Sequence, residues 1–546
     1  MKHLMLRLIC ALFSCLLLLG PAYADDKASS PVTRNALETQ AGAGDAWARF
    51  SNFFLRLKLF CQSVSGDADV QFNLGALYEN GEGVQDYAKA REWYEKAAAQ
   101  GHVLAQFNLG MLYENGEGVP QDYAKAREWY EKAAAQGLAE AQFLLGEVYE
   151  NGDGVPQDYA KAREWYEKAA AQGNAMAQFA LGAMYAHGQG VPQNYANARQ
   201  WYEKAAAQGN AMAQSLLGAL YYFGQGVPQD YARAREWWEK AAEQGLVMAQ
   251  FLLGGVYGDG RDVPQDYAKA KQWYEKAAAQ GFAEAQLNLG MLYENGRGAP
   301  QDYAKAREWY EKAAAQGNAK AQYHLGKMYA AGEGVPQDYA KARKWYEKAA
   351  AQGFAGAQLN LGVMYAIGQG VPQDYARARE WYEKAAAQDN AYAQSALGPL
   401  YENGWGVPQD YARAKQWYEK AAAQDNAYAQ YNLGRMYYLG RGVRQDYAKA
   451  RHWYGKAATQ GHAEAQLYLG QMYATGQGVR QDYVKARHWL EKAAAQENAY
   501  AQGTLGALYE NGWGVRQNTA AAKEWYGKAC DNGLQRGCDE YKRLNK

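Results

Sequence analysis

Asn318-Ala-Lys-Ala-Gln-Tyr-His-Leu-Gly-Lys-Met-Tyr329, then Gly332 and Gly334, then Pro336-Gln337-Asp338 and a run from Tyr339 to Gln352: this stretch decides the fold. Ala321, Leu325, Met328 and Tyr329 recur at the spacing of one helix face. Gly332 and Gly334 then break the pattern, as residues beyond a helix C-terminus do. Asp338 is an N-cap. The second run places Ala342, Trp345, Tyr346, Ala349 and Ala350 on one side of another helix, with Lys, Arg and Glu filling the rest. Pairs such as Arg127/Glu131 and Glu128/Lys132 in an equivalent run sit at i,i+4. The unit is a hairpin of helix A and helix B.

That hairpin is repeated. A Leu-Gly in the same frame ends at Gly75, Gly110, Gly146, Gly182, Gly218, Gly254, Gly290, Gly326, Gly362, Gly398, Gly434, Gly470 and Gly506. The first spacing is 35 residues and the others are 36. The short one has a cause: its loop reads Gly83-Val84-Gln85-Asp86, without the proline of Gly118-Val-Pro-Gln-Asp122. Loops absorb such a deletion more easily than packed helices. A fixed period in this range means stacked units that bury a shared core, because one hairpin cannot bury its apolar face alone. The fold class is therefore all-α, a solenoid of thirteen helix–turn–helix units over residues 66–537. At roughly 10 Å per helix layer, it is expected to be elongated.

Within each unit the Tyr three residues after Gly, the helix B Trp and the Gln four residues before Gly recur in all thirteen copies. The Gly is expected to admit a neighbouring helix. Trp345 and its equivalents are expected to supply the large buried area, and Gln322 and its equivalents to bond backbone. Pro399 stands inside helix A of its unit and is expected to kink it, lacking the N–H that would bond Ser395.

The first residues read as an export signal. Lys2 and Arg7 precede an apolar run from Leu8 to Leu19, and Ala22-Tyr23-Ala24 gives a small-x-small cleavage pattern. This predicts removal of residues 1–24, a periplasmic or secreted mature chain, and no membrane span after cleavage. Residues 25–43 read as a flexible leader, 44–65 as a decayed capping repeat and 538–546 as a C-terminal capping helix. Net charge is zero, which removes the simplest argument for nucleic acid. The balance is uneven: Arg435 to Lys546 carries 17 basic and 10 acidic residues, residues 25–434 carry 39 and 48. Cys61 stands alone. Cys530 and Cys538 fall near the end of the last full helix and in the first turns of the next, where an antiparallel pair can bring them within disulfide reach and export permits the bond.

The motifs Ala-x-x-Gln, Leu-Gly-x-x-Tyr, Gly-x-Gly-Val and Ala-x-x-Trp-Tyr-x-Lys-Ala-Ala resemble those of the Sel-one-like repeat family, relatives of tetratricopeptide repeats. The Cys-x7-Cys of the last unit resembles the bridge of secreted, cysteine-rich bacterial members, which carry it in every repeat. The resemblance implies a right-handed α/α superhelix acting as an adaptor, with helix A lining the concave surface. Exported bacterial members are associated with envelope assembly, peptidoglycan enzymes and host interaction.

Motifs of chemistry are sparse. Gly-x-Gly recurs in the loops without a preceding strand and reads as turn geometry. Ser-x-x-Lys and His-Glu-x-x-His are absent. No cofactor, metal site or enzymatic activity is expected. The β-lactam hydrolase reading rests on family association alone.

The comparison between repeats is more informative. With Gly as zero, positions −5, −1, +2 and +3 of helix A are nearly fixed, whereas −2, +1 and +5 vary and lie on the opposite side. At −2 stand Asn108, Leu144, Leu216, Asn288, His324, Asn360, Asn432 and Tyr468. At +1 stand Met111, Glu147, Met291, Lys327, Val363, Arg435 and Gln471. An inner wall that varies while its packing faces stay fixed is what partner recognition needs. The expected function is an exported scaffold holding a protein partner, from the envelope or a host. The alternative is a module that binds peptidoglycan or muropeptides or modulates wall enzymes.

Overall fold

The computed structural model describes residues 66–80 and 85–545. The signal, leader and capping-repeat readings for residues 1–65, and Cys61, lie outside the described residues. Among the described residues there are 27 α-helices and no strand, from Ala68–Glu79 to Gln535–Arg543. They fall into two compact units, divided between Gln265 and Asp266. Within each unit, helix B packs against helix A of its own repeat and against helix A of the next. The described residues contain no helix long and apolar enough to cross a membrane.

Local chemistry sets the helix ends. Helix A of the quoted repeat is Ala319–Ala331 and helix B is Tyr339–Ala351. Asp338 Oδ1 accepts from the Lys341 N–H at 2.9 Å, as expected of an N-cap. Gly332 closes helix A in the left-handed region at φ 78°, its N–H bonded to the Met328 carbonyl.

In the quoted repeat the core is a layer of small and aliphatic residues around one ring. Ala321, Leu325 and Met328 of helix A and Ala342, Ala349 and Tyr346 of helix B are almost fully buried. Here the structure corrects the sequence reading. The deeply buried ring is Tyr346, not Trp345. Trp345 is half-buried over a cluster formed by Tyr310 and Ala313 of the preceding repeat and Leu325 of its own, with the Lys348 ammonium 4.2 Å from its ring centroid. Adjacent residues on a helix differ by about 100°, so only one of two neighbouring rings can face helix A.

The glutamines do more than expected. Gln322 Nε2 donates to the Ala314 carbonyl at 3.3 Å, and its Oε1 accepts from Gln352 Nε2 at 2.9 Å. The same pattern recurs within both units, for example at Gln142 with Ala134 and Gln172. Each buried amide thereby ties its hairpin to the preceding helix and to the one that follows.

Cys530 and Cys538 are disulfide-bonded. The last helix begins at Gln535 rather than at Cys538, so the bridge joins two helices near their adjoining ends. Pro399 does not end its helix: Ala391–Asn403 runs through it without a break. Leu397 and Leu400 are buried on either side of the proline and hold the helix against its neighbours.

The turn from helix B to the next helix A holds a glycine at φ near 90° in most repeats, as at Gly317 (φ 89°). Asp389, Asp425 and Glu497 occupy that turn at φ 57°, 57° and 60°. A Cβ at Gly317 would meet nothing within 4 Å, so the cost at these three sites is conformational rather than steric. Glu497→Gly is expected to stabilise by about 1 kcal/mol, with smaller gains at the aspartates, which tolerate this region better. Denaturant midpoints check it; a lower midpoint for Glu497→Gly would contradict it.

Candidate partner-binding face of helix A

The Tyr buried against Gly sends its hydroxyl past the core to position +4 of its own helix A. Where that position is glutamate, the phenol donates to the carboxylate. The pairs are Tyr94–Glu79, Tyr130–Glu114 and Tyr166–Glu150 in the first unit, and Tyr310–Glu294, Tyr418–Glu402 and Tyr526–Glu510 in the second. Burial, reinforced by the carboxylate, raises the ionisation of Tyr166 far above the usual phenol range.

Positions −2 and +1 of the following repeat meet this pair. Asn108 Nδ2 donates to the Tyr94 hydroxyl at 3.0 Å. His324 Nδ1 lies 3.0 Å from Glu294 Oε2, and Lys327 Nζ lies 3.7 Å from Oε1. Burial pushes the Glu294 carboxyl up, but hydrogen bonds from His324 and Tyr310 and the charges of His324 and Lys327 outweigh it and hold the group at about 2. Its folded value is depressed, so its contribution to stability is present above the usual glutamate range and is lost as pH falls toward 2. Arg435 Nη2 donates to both oxygens of Glu402, at 2.7 and 2.8 Å. Glu402 is only 2% exposed. His324, Lys327 and Arg435, all expected to face a partner, are thus partly committed to glutamates one repeat back.

Glu147 at +1 has no such complement. It faces Glu114, Glu150 and Asp153, and burial followed by these like charges pushes its carboxyl up to about 7. A raised carboxyl favours the folded state below its unfolded value, and that contribution disappears as pH rises through 7. Glu147→Gln is therefore expected to raise the melting midpoint at pH 8 and to change it little at pH 4. Equal shifts at both pH values would contradict this.

The remaining sequence-named residues divide by exposure. Met111 and Val363 are exposed. Asn108, Leu144, Glu147, Leu216, Asn288, Met291, His324, Lys327, Asn360, Arg435, Tyr468 and Gln471 are half-buried. Leu144, Leu216, Met291 and Tyr468 also pack against core clusters. Asn432 is a correction: it is 1% exposed, its Nδ2 bonded to the Tyr428 carbonyl, and it takes no part in an exposed face.

Position −6 was missed. Leu104, Met176, Met212 and Met248 in the first unit, and Tyr392, Tyr428 and Tyr500 in the second, are large apolar side chains left exposed. On the helical wheel −6 lies between +1 and +5. Its variation between repeats was readable, and Met176, Met212 and Met248 stand there in three consecutive repeats. The described residues hold no group of three His, Cys, Asp or Glu side chains placed to bind a metal.

The Sel1 repeat family model matches thirteen consecutive segments, from residues 68–102 to 499–534. Among solved structures, the chain is similar to c5321, described as a protective antigen of uropathogenic Escherichia coli with an SLR fold. Identity is 35%, TM-score 0.59, and the match covers 88% of this chain and 96% of that one. A Sel1 repeat protein from Oxalobacter formigenes matches at 39% identity and TM-score 0.47, over 57% of this chain and 89% of that one. Comparison with curated proteins finds no match. With thirteen matched hairpins, built on a helical glycine that in most of them lies against a helix B tyrosine, the chain belongs to the Sel1 repeat family and has its solenoid fold.

Proposed function

We infer that this Sel1 repeat scaffold is exported and holds a protein partner on the exposed face of helix A. One observation carries the reading. Met176, Met212 and Met248 are 50%, 52% and 46% exposed in successive repeats, while the faces that pack the array keep the same residues from repeat to repeat. Methionine adapts to varied apolar partners, and exposed apolar side chains repeated along one surface mark an interaction site. In the same unit Glu79, Glu114, Glu147 and Glu150 bring carboxylates to this face, which favours a partner segment with apolar side chains and positive charge. The protective-antigen description of the Escherichia coli relative is in keeping with an exported scaffold.

Replacing Met176, Met212 and Met248 together with serine is expected to abolish capture of a specific envelope or host protein while leaving the circular dichroism spectrum unchanged. Undiminished capture would reject this face. Co-sedimentation with purified peptidoglycan in the absence of any protein partner would replace the reading by the wall-binding one. N-terminal sequencing of the exported product is expected to begin at Asp25.

A further inference from the structure

Position −3 of helix A is a ring or a leucine in ten repeats, such as Phe107, Phe143, Phe179, Tyr323 and Tyr431. The ring lies against the buried Tyr of helix B, with centroids 5.9 Å apart for Phe107–Tyr130 and Tyr431–Tyr454. Its other side meets the N-cap residue of the next helix A: Tyr431 stacks on His462 at 4.7 Å. Three repeats lack this side chain. Where it is Ser215, helix B carries Trp238 in place of Tyr, and the indole N–H donates to the Ser215 carbonyl at 3.0 Å. Where it is Gly503, Leu534 Cδ2 comes within 2.9 Å of the missing Cβ position, and the remaining cavity is about 270 Å³. Where it is Ser395, helix B keeps Tyr418 and the facing cap is the short Asn426.

The seat is therefore open at Ser395. A cavity of about 560 Å³ lies there, flanked by the exposed rings of Tyr392 and Tyr428 and reaching His462. Ser395 lines it, is 4% exposed, and its Oγ has no hydrogen-bond partner. The Oδ1 of Asn426 is already occupied by the Ala429 N–H at 2.9 Å, so its side chain is fixed beside the cavity.

We propose that this cavity is a docking seat for a tyrosine side chain of the partner polypeptide. The array itself fixes the shape, since its own rings fill the same seat in other repeats. The direction of entry fixes the chemistry. A ring of the chain grows outward from its Cβ, whereas a ring from outside enters tip first and brings its para substituent to the floor. A phenolic oxygen arriving there meets Ser395, whose unpaired hydroxyl is closed off in the empty seat and gains its partner by turning toward the cavity; a buried hydroxyl without a partner is costly until then. The inference rests on the protein-partner reading above for the source of the tyrosine, but the seat can be tested without that partner.

The test is titration of the full chain with N-acetyl-tyrosinamide, followed by amide chemical shifts in NMR. N-acetyl-phenylalaninamide and N-acetylglucosamine are the comparison probes. The expected result is saturable shifts at repeats 10 and 11 with the tyrosine probe, and binding about fivefold weaker with the phenylalanine probe. Ser395→Leu places in the seat the residue found there at Leu287, Leu359 and Leu467; it should raise the melting midpoint and remove probe binding. Ser395→Ala should keep binding and lose the preference for tyrosine. Absence of saturable shifts, binding unchanged in Ser395→Leu, an unchanged or lower midpoint in that variant, or binding of the sugar alone would each overturn the proposal. Failure of the methionine variant to affect capture would count against the partner-binding face and not against this seat.

Discussion

Gly434→Ala is expected to destabilise the protein by about 2–3 kcal/mol, although helix propensity by itself favours alanine over glycine by about 1 kcal/mol. Packing decides the sign. A Cβ at Gly434 would lie 2.6 Å from Cδ1 and 2.8 Å from Cε1 of Tyr454. That ring cannot retreat easily: it is fully buried and stacked on Tyr468 with centroids 5.4 Å apart. Helix A must move off helix B, or the ring must leave its rotamer, and either loosens contacts with the next repeat. Gly455 supplies the control. It lies inside helix B, Tyr447–Thr459, and a Cβ there would meet nothing within 4 Å. Gly455→Ala should therefore stabilise by about 0.5–1 kcal/mol. Chemical denaturation of both variants measures the difference. Hydrogen exchange should place the damage of Gly434→Ala in its own and adjacent repeats, because coupling in such arrays is mostly between neighbours. A midpoint that rises in both variants would mean that propensity outweighs the Gly–Tyr contact.

Arg435→Ala is expected to cost about 2–3 kcal/mol. Breaking a fully buried ion pair costs about 3–5 kcal/mol, and the Arg435 side chain is 32% exposed, so solvent reduces the figure. The loss falls on Glu402, which is 2% exposed and would keep Tyr418 and a 3.7 Å approach from Arg441. Adding Glu402→Gln to Arg435→Ala should recover much of the loss, since the amide carries no charge to leave unpaired. A double variant no more stable than Arg435→Ala alone would show that the arginine acts through packing of its stem. The comparable pair in repeats 7 and 8, Lys327 with Glu294, is longer at 3.7 Å and its lysine is 43% exposed. Lys327→Ala should cost less than Arg435→Ala.

Both variants touch residues that the sequence singled out, and they show how far that reading reached. Gly434 was legible as a site of close approach because a helical glycine kept in thirteen copies must be relieving a contact. The partner ring was not. Tyr454 and Trp453 are adjacent aromatic residues, and periodicity cannot say which of two neighbours points at helix A. Arg435 was legible as a variable residue of helix A, but its glutamate lies 33 residues back on another helix. Asn432 shares a register position with Asn108, Asn288 and Asn360, yet it alone of these four is buried.

The sequence by itself determined the hairpin, the period, the number of repeats, the helix caps and the buried glutamine, because each rests on spacing within about 36 residues. It also placed Cys530 and Cys538 on adjoining helices. Only the tertiary structure decided which side chains on the varying face are available to a partner. That depends on what the neighbouring repeat supplies: a cation for Glu402, none for Glu147, and no ring or leucine over Ser395. These contacts join residues one repeat apart through space, and no pattern within a single helix encodes them.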